Sequence, residues 1–580
     1  MPVQFSTPNS IWASVLVEVL ARLGLRTAVL CPGSRSTPLT LAFAAHPNVE
    51  AIPVLDERSA AFFALGLAKR SGRATALVCT SGTAGANFYP AIIEAYESRV
   101  PLLVLTADRP PELRACNSGQ TIDQQKLFGS VVNDYAEVAV PELDLGLLAY
   151  LRQTVVHAWG RSHDPVPGVV HLNLPFRDPL APISMLEAEA FATQFPAHFF
   201  DAISEGLAPP TLSSFPSIPD AWYSAQRGII IAGIAQPQNP EAYCGAIAAL
   251  ANHLKFPVLA EGLSPVRNFA QQIPDVITTY DWILRNPDCA ADLAPDLVIR
   301  IGEMPTSKVL REWLTQAQPR QWVIDPGDRN LDPLHGFTVH LRGSVEHIAA
   351  AVSSLEPTPE RVEYGDRWTS LNTQVTKEIQ RVLSTTEDWI ESKIPWLLSQ
   401  VLPTDTPIFI ANSMPIRDVE WFWPSGDRHI RPFANRGANG IDGTLSTALG
   451  IAHGQPYAVL LTGDLALLHD TNGFLLRSHL RGHLTIVLVN NDGGGIFEML
   501  PISQFDPPFE EFFATPQSVD MAQLCRAYGV SHTLIQSWTQ FQELLSEFPD
   551  SGIRVLEIRS DRKQNAAWRS ALFRAISQNL

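Results

Sequence analysis

Residues 457–465, YAVLLTGDL, and residues 484–491, LTIVLVNN, decide the fold of this chain. Each is a short apolar run that stops on small or polar residues. Gly463-Asp464-Leu465 closes the first and Asn490-Asn491 the second. Such runs read as strands buried within a parallel sheet. The carboxyl ends of these strands share one edge of an open sheet, and that edge is where ligands bind. Asp464 and Asn491 therefore predict a carboxylate and an amide oxygen at the ligand edge, with the flexible backbone of Gly493 beside them. An all-oxygen set of this kind suits Mg²⁺ that is also held by phosphates. Taken alone, the same residues read equally well as two polar strand-to-helix turns.

The pattern extends outward from these two strands. Residues 9–23 predict an amphipathic helix, with Ile11, Val15, Val19 and Leu23 recurring every four positions and Asn9 or Ser10 as its cap. Strands are expected at 27–31, 51–55, 74–79 and 102–106. They alternate with helices that open near Pro38, after Asp56-Glu57-Arg58 and at Ser81-Gly82-Thr83. This alternation implies a parallel sheet with right-handed crossovers in a first domain, 1–185. Residues 186–220 carry Pro196, Pro209, Pro210, Pro216 and Pro219 and read as a linker. A central α/β domain follows at 221–355, with strands at 228–232, 297–301 and 322–324. The segment EPTPERVEYG, 356–365, reads as a second linker. It opens the last region, 356–580, where strands are expected at 407–411, 458–461, 484–489 and 554–558. The expected fold class is α/β: three doubly wound domains with parallel sheets, the first and third similar in shape.

Composition narrows the function. The chain has 580 residues, 46% hydrophobic and 17% charged, enough for several cores. Its formal net charge of −17 argues against bulk nucleic-acid binding, which needs Lys and Arg to displace counterions. An anionic substrate must then be held by local arginines. The six cysteines, Cys31, Cys79, Cys116, Cys244, Cys289 and Cys525, include no CxxC pair and do not read as a disulfide framework. The opening MPVQFSTPNS lacks the basic-then-apolar pattern of a signal peptide, and no apolar run approaches a membrane span. A cytoplasmic location is expected.

Several turns at the ligand edge carry chemistry. Glu57, in VLDERSAAF (54–62), directly follows a strand. A carboxylate there can be partly desolvated and share a proton with a ligand nitrogen. A glutamate in a first helical turn is also favoured by the helix dipole alone. Gly33-Ser34-Arg35-Ser36 offers hydroxyls and a guanidinium at a helix N-terminus, a cradle for carboxylate or phosphate. Arg109, in ADRPP, sits at a comparable turn, and Asn412 to Arg417 follows another strand. NRGANGIDG (435–443) and DGGG (492–495) supply glycines for close backbone approach to phosphate. There is no G-x-x-x-x-G-K-[ST] loop, no G-x-G-x-x-G after a strand and no spaced Cys/His zinc set.

These residues resemble the thiamine-diphosphate-dependent decarboxylase and ligase enzymes, whose metal motif is GD…N. The resemblance is specific over CPGSRSTPLTLA (31–42), LDERSAAFFALGLAK (55–69), TSGTAGANFYPAIIEA (80–95), LTADRPPEL (105–113), NRGANGIDGTLSTALG (435–450) and NNDGGGIFEMLP (490–501). In the central domain it rests on TSKVLREWL (306–314). Leu465 in place of the Gly common after the motif's Asp points to the branch that joins 2-oxoglutarate to isochorismate on the way to menaquinone or phylloquinone. Val309 stands where some relatives have a second basic residue after Lys308.

The resemblance implies thiamine diphosphate and Mg²⁺ or Mn²⁺ as cofactors. It also implies a homodimer or a tetramer, with sites between subunits. By this likeness Glu57 is catalytic and contacts the pyrimidine, and Asp464, Asn491 and the Gly493 carbonyl hold the metal. Ser413, Ile441, Leu465 and Ile496 contact the cofactor, with Ile441 as the wedge that bends it. Ser34, Arg35, Arg109, Gln120, Lys308, Ser413, Arg417, Arg436, Phe497 and Leu500 contact substrates. Both substrates are dicarboxylates, so their burial calls for fixed guanidinium forks. The alternatives are another thiamine-diphosphate-dependent 2-oxo-acid decarboxylase or ligase, for which a pyruvate pocket would need fewer arginines, and a catalytically dead scaffold subunit of the same fold.

Overall fold

The structure, a computed structural model, describes residues 3–201, 203–205 and 217–580. Of the prolines in the first expected linker, Pro209, Pro210 and Pro216 lie outside the described residues. In chain order the strands are β1 (Thr27–Leu30), β2 (Glu50–Pro53), β3 (Thr75–Cys79), β4 (Leu102–Asp108), β5 (Asp134–Glu137), β6 (Val169–Pro175), β7 (Gly228–Ala232), β8 (Val258–Ala260), β9 (Leu297–Ile301), β10 (Arg320–Asp325), β11 (Phe337–Arg342), β12 (Pro407–Ile410), β13 (Arg431–Phe433), β14 (Gln455–Gly463), β15 (Gly482–Asn490), β16 (Ser531–Leu534) and β17 (Gly552–Arg559).

They form three sheets. The first runs β2-β1-β3-β4-β6-β5, the second β11-β10-β9-β7-β8, and the third β13-β12-β14-β15-β17-β16. The first two sheets are parallel throughout, as are the pairings of β12 with β13 and β14 and of β17 with β15 and β16. Counted within its own sheet, the third repeats the strand order of the first, so the two share one topology. In both, the winding reverses beside the first strand, between β1 and β3 and between β12 and β14. Crevices of that kind, at the carboxyl ends of the strands, take ligands.

Two compact units divide the chain: residues 1–211 with 435–455 and 469–481, and residues 212–434 with 456–468 and 482–580. The first unit holds the first sheet. Its opening helix, Pro8–Leu23, is not amphipathic as expected, because residues 9–21 are buried all round. Its cap is Thr7, whose Oγ1 accepts from the Ser10 N–H at 3.0 Å. Asn9 instead ties the helix to the end of the sheet, donating to the carbonyls of Arg177 and Pro179. The segment expected as a linker from residue 186 carries structure of its own. Leu186–Phe191 is helical, and Phe195, Phe199 and Phe200 cluster against the core, with Arg22 and Arg152 over two of their rings.

Within this unit the helix Glu57–Ser71 packs on Thr444–Ala452 with their backbones nearly touching. A Cβ on Gly66 would lie 2.1 Å from the Thr447 carbonyl oxygen, and one on Gly450 would lie 2.2 Å from that of Phe63. Neither neighbour is a side chain that can swing away. Gly450→Ala is therefore expected to lose roughly 1–3 kcal/mol by overpacking, despite alanine's better helix propensity. An unchanged urea midpoint would show that the two helices separate freely.

Thr444–Ala452 has no side-chain cap of its own. Asp470 supplies one, accepting from the Ser446 N–H at 2.7 Å and its hydroxyl at 3.0 Å. Burial pushes Asp470 up to about 6 from its ordinary 3.8. The folded state thus holds this proton more tightly than the unfolded chain does. The resulting stabilisation is complete below pH 3.8 and is lost as pH rises through 6. Asp470→Asn keeps the acceptor and removes the buried charge. Its melting temperature should climb relative to the parent between pH 3 and 7, by an amount worth about 3 kcal/mol. Parallel pH profiles would refute this.

The second unit contains the other two sheets. Residues 359–365, expected in a linker, open the 27-residue helix Pro359–Thr385, capped by Thr358 with Pro359 in its first turn. Its Tyr364, Trp368, Leu371, Val375 and Ile379 pack with Ile229 and Val298 of the central sheet and with Phe573 near the C-terminus. The helix is thus part of the core between the central and last domains.

Candidate functional site

At the first sheet's switch point, the turn after β1 meets the turn after β3. Gly33 approaches Thr80 so closely that a Cβ would lie 2.2 Å from the Thr80 Cβ. The Arg35 N–H donates to Thr80 Oγ1 at 3.3 Å. The buried Arg35 guanidinium donates to the Phe176 carbonyl at 2.9 Å and stands 3.6 Å from the exposed Asp178. Its Nε is buried without a hydrogen-bond partner among the described residues. Burial lowers its pKa, and the nearby Arg109 adds to that effect. Arg109 follows β4 and donates to the Ser81 hydroxyl. Gln120, at positive φ, donates to the Ser81 carbonyl at 3.0 Å. Two neighbouring guanidiniums, one incompletely satisfied, offer the chemistry that a carboxylate receptor needs. Ser34 is exposed at its rim.

Glu57 is half-buried and is the first residue of its helix, after the capping Asp56. Its charge reaches the ends of β1 and β3. The Cys31 and Cys79 thiols are pushed up chiefly by burial, with Glu57 adding to the shift at each. In the same unit, Arg436 and the half-buried Ile441 lie on the glycine-rich loop before Thr444–Ala452. That loop is pinned by Glu94, which accepts from the Gly437 and Ala438 N–H groups at 3.1 and 2.7 Å and pairs with buried Lys69 at 3.6 Å.

The second unit presents its own edge. Asp464 follows β14, is buried, and accepts from the Gly493 N–H through Oδ2 at 2.8 Å. Burial pushes its carboxyl up to about 6. Asn491 follows β15 and donates through Nδ2 to Glu391 at 2.8 Å, while its Oδ1 is buried without a partner among the described residues. Gly493 sits at φ +139°, where a Cβ would lie 2.5 Å from the Ala514 carbonyl oxygen, so only glycine fits. No group of three His, Cys, Asp or Glu side chains that could hold a metal ion occurs among the described residues. The donor set on offer is therefore one carboxylate, one amide oxygen and one backbone carbonyl. A buried carboxylate and an orphaned amide oxygen fit a hard divalent cation that completes its shell with phosphate oxygens.

Near them, Ser413 follows the end of β12 in a strained φ 73°, ψ −127° conformation and begins the helix Met414–Phe422. Arg417, one turn on, donates to the Ser413 carbonyl at 2.6 Å. Leu465, Ile496 and Phe497 are half-buried and Leu500 is exposed. Phe497 packs edge-on against Phe513, with centroids 5.9 Å apart. Lys308 is exposed at the start of Lys308–Ala317 and paired with Glu312 at 3.3 Å. Sequence reasoning assigned no site role to Ser81, Glu94 or Glu391, whose partners are the Arg109 and Gln120 side chains, the backbone at 437–438 and the Asn491 amide.

Three family models match in order: "Thiamine pyrophosphate enzyme, N-terminal TPP binding domain" over residues 12–127, "Middle domain of thiamine pyrophosphate" over 217–410, and "Thiamine pyrophosphate enzyme, C-terminal TPP binding domain" over 424–558. Among curated proteins, the chain is 60% identical over 573 residues to the 2-succinyl-5-enolpyruvyl-6-hydroxy-3-cyclohexene-1-carboxylate synthase of a Nostoc species, covering 98% of each chain. The Acaryochloris marina synthase of the same name is 56% identical over 586 residues, with 100% of both chains covered. That of Crocosphaera subtropica is 51% identical over 571 residues, with 98% of each covered. The chain belongs to the 2-succinyl-5-enolpyruvyl-6-hydroxy-3-cyclohexene-1-carboxylate synthases. The N-terminal match covers β1 to β4 of this synthase's first sheet, the C-terminal match covers β13 to β16 and nearly all of β17, and the middle-domain match holds the whole central sheet together with β12. No helix among the described residues is long and apolar enough to cross a membrane.

Proposed function

We propose that this chain converts 2-oxoglutarate and isochorismate to 2-succinyl-5-enolpyruvyl-6-hydroxy-3-cyclohexene-1-carboxylate and CO₂, in the cytoplasm, as a step towards menaquinone or phylloquinone. The observation that carries the reading is the buried Asn491 Oδ1, without a partner among the described residues, at the end of the strand beside the one that buried Asp464 follows, supported by near-full-length likeness to the synthases. Bound thiamine diphosphate supplies the carbon nucleophile and electron sink that loss of CO₂ from a 2-oxo acid requires. Asp464, Asn491 and the Gly493 carbonyl would hold Mg²⁺ or Mn²⁺ against its diphosphate. Leu465 and Ile496 would flank the cofactor, and Ile441 would support its bent form.

Glu57 would hold a proton at the pyrimidine nitrogen. A carboxylate at the first position of a helix is favoured by the helix dipole and can accept that hydrogen bond. Arg35 and Arg109 would take one substrate carboxylate from the first unit. Ser413, Arg417 and Arg436 would take others, with Ser34, Gln120 and Lys308 as further polar contacts and Phe497 and Leu500 closing the apolar side. Isochorismate is bound without covalent attachment to the protein, so its orientation rests on these guanidiniums. We assign the working form as a homodimer, or a tetramer of two such dimers, in which different copies contribute the Glu57 half and the metal half of each site.

Incubation with thiamine diphosphate, Mg²⁺, 2-oxoglutarate and isochorismate, read by mass spectrometry, should yield the named product with one CO₂ released per turnover. Turnover of pyruvate in place of 2-oxoglutarate at equal efficiency would move the chain to the simpler decarboxylases. Cofactor binding without any turnover would make it a scaffold.

A further inference from the structure

Asn491 can serve as a metal ligand only if its amide faces one way. The oxygen must point into the site, and the NH₂ must point away. Rotation of the amide by half a turn exchanges the two at almost no steric cost, and it would present N–H groups to a cation. The structure shows what forbids that rotation. Asn491 Nδ2 donates to Glu391 Oε1 at 2.8 Å, and a carboxylate oxygen accepts hydrogen bonds and never donates them. We infer that Glu391 is a positioning residue for the metal site, setting the orientation of the Asn491 amide so that Oδ1 is left for the cation. The inference rests on the assignment of Asn491 as a metal ligand.

Glu391 is itself held immobile. It is 3% exposed, in the turn between the helices Pro359–Thr385 and Lys393–Val401. Ser560 donates to the same Oε1 at 2.8 Å, and Arg569 Nη2 donates to Oε2 at 2.7 Å. Its backbone N–H is taken by Asn565 Oδ1 at 2.8 Å. Arg569 is anchored in turn by both oxygens of Asp418, at 2.8 and 2.6 Å. Oε2 thus faces a cation and Oε1 faces two donors. This asymmetry makes Glu391→Gln informative. The amide oxygen of the new side chain is drawn to Arg569, so its NH₂ must face Asn491. Asn491 then satisfies that donor only by turning its own oxygen away from the metal position.

The test is Mn²⁺ affinity by electron paramagnetic resonance in the presence of thiamine diphosphate. Glu391→Gln should weaken Mn²⁺ binding about 10–100-fold, the usual cost of losing a partner that orients a metal ligand. Asn491→Asp added to Glu391→Gln should restore at least about tenfold of that, because a carboxylate accepts from the glutamine and still offers its other oxygen to the metal. A residue that merely stabilised the fold would lower affinity equally with either residue at 491. Glu391→Asp keeps the charge for Arg569 while drawing the carboxylate back from Asn491. It should weaken binding roughly 3–10-fold, which gives a second reading if the glutamine variant fails to fold. Folded variants that bind Mn²⁺ like the parent, or a double variant no better than Glu391→Gln, overturn the inference. A parent protein that fails to bind Mn²⁺ with thiamine diphosphate overturns the metal assignment beneath it.

Discussion

Chains carrying Glu57→Gln, mixed and reassociated with chains carrying Asp464→Asn, are expected to regain activity that neither has alone. Each substitution by itself should be severe. Removing a proton-sharing carboxylate from a catalytic site costs about 10²–10⁴-fold in turnover. Asp464→Asn keeps an acceptor for the Gly493 N–H but removes the only charge in the proposed ligand set. If different copies supply the two halves of each site, a mixed dimer concentrates both defects in one site and leaves the other intact. Random pairing makes half of the dimers mixed, so the mixture should recover about a quarter of parental activity. If one chain supplied both halves, every site in every dimer would carry a defect and mixing would recover nothing. Activity at the level of the separate variants would therefore refute the shared-site assembly, whereas the substrate assignment would stand on the mass-spectrometric assay.

The strand framework was legible because buried parallel strands write themselves as apolar runs. Residues 228–232 and 297–301 were read to the residue as β7 and β9. The edge strands β5 and β16, DYAE and SHTL, were not read. An edge strand is only half covered, and neither contains an apolar run; β6, β8, β11 and β13 also went unread, the buried β6 because His171 and Asn173 interrupt its apolar residues. Residues 356–365 were misread for a different reason. Proline was taken as punctuation, but Thr358-Pro359-Glu360 is a cap, a first-turn proline and a first-turn acid, which together start a helix. The opening helix was misjudged because its repeat of four drew attention from Trp12, Leu16 and Leu20, which bury the other faces.

In the candidate site, the glycines and charges at strand ends were recoverable, since such residues have few other reasons to be there. Residues that hold them in place were not. Glu391 meets Asn491 across 100 positions, and nothing local to WIES (389–392) marks it.

Arg35→Met is expected to raise the KM of a dicarboxylate substrate about 10–100-fold while leaving the melting temperature near that of the parent. A buried arginine is ordinarily costly to remove, because its removal strands a buried partner charge and loses about 3–5 kcal/mol. Arg569 is such a case, since Glu391 and Asp418 both depend on it and burial leaves them no water to turn to. Arg569→Met should therefore unfold the chain at markedly lower temperature. Arg35 differs in each respect. Its nearest carboxylate, Asp178, is 3.6 Å away and exposed, its Nε has no partner among the described residues, and Arg109 opposes its charge. Loss of its bond to the Phe176 carbonyl is offset by relief of desolvation and of like-charge repulsion. The guanidinium thus adds little to the empty protein and gains its worth when an anion arrives, the signature of a group kept for binding rather than for folding. Arg35→Lys should recover only part of the KM, because an ammonium cannot reproduce the two-pronged contact with a carboxylate. A melting temperature that falls for Arg35→Met as far as for Arg569→Met would make Arg35 a structural ion and remove it from the substrate site.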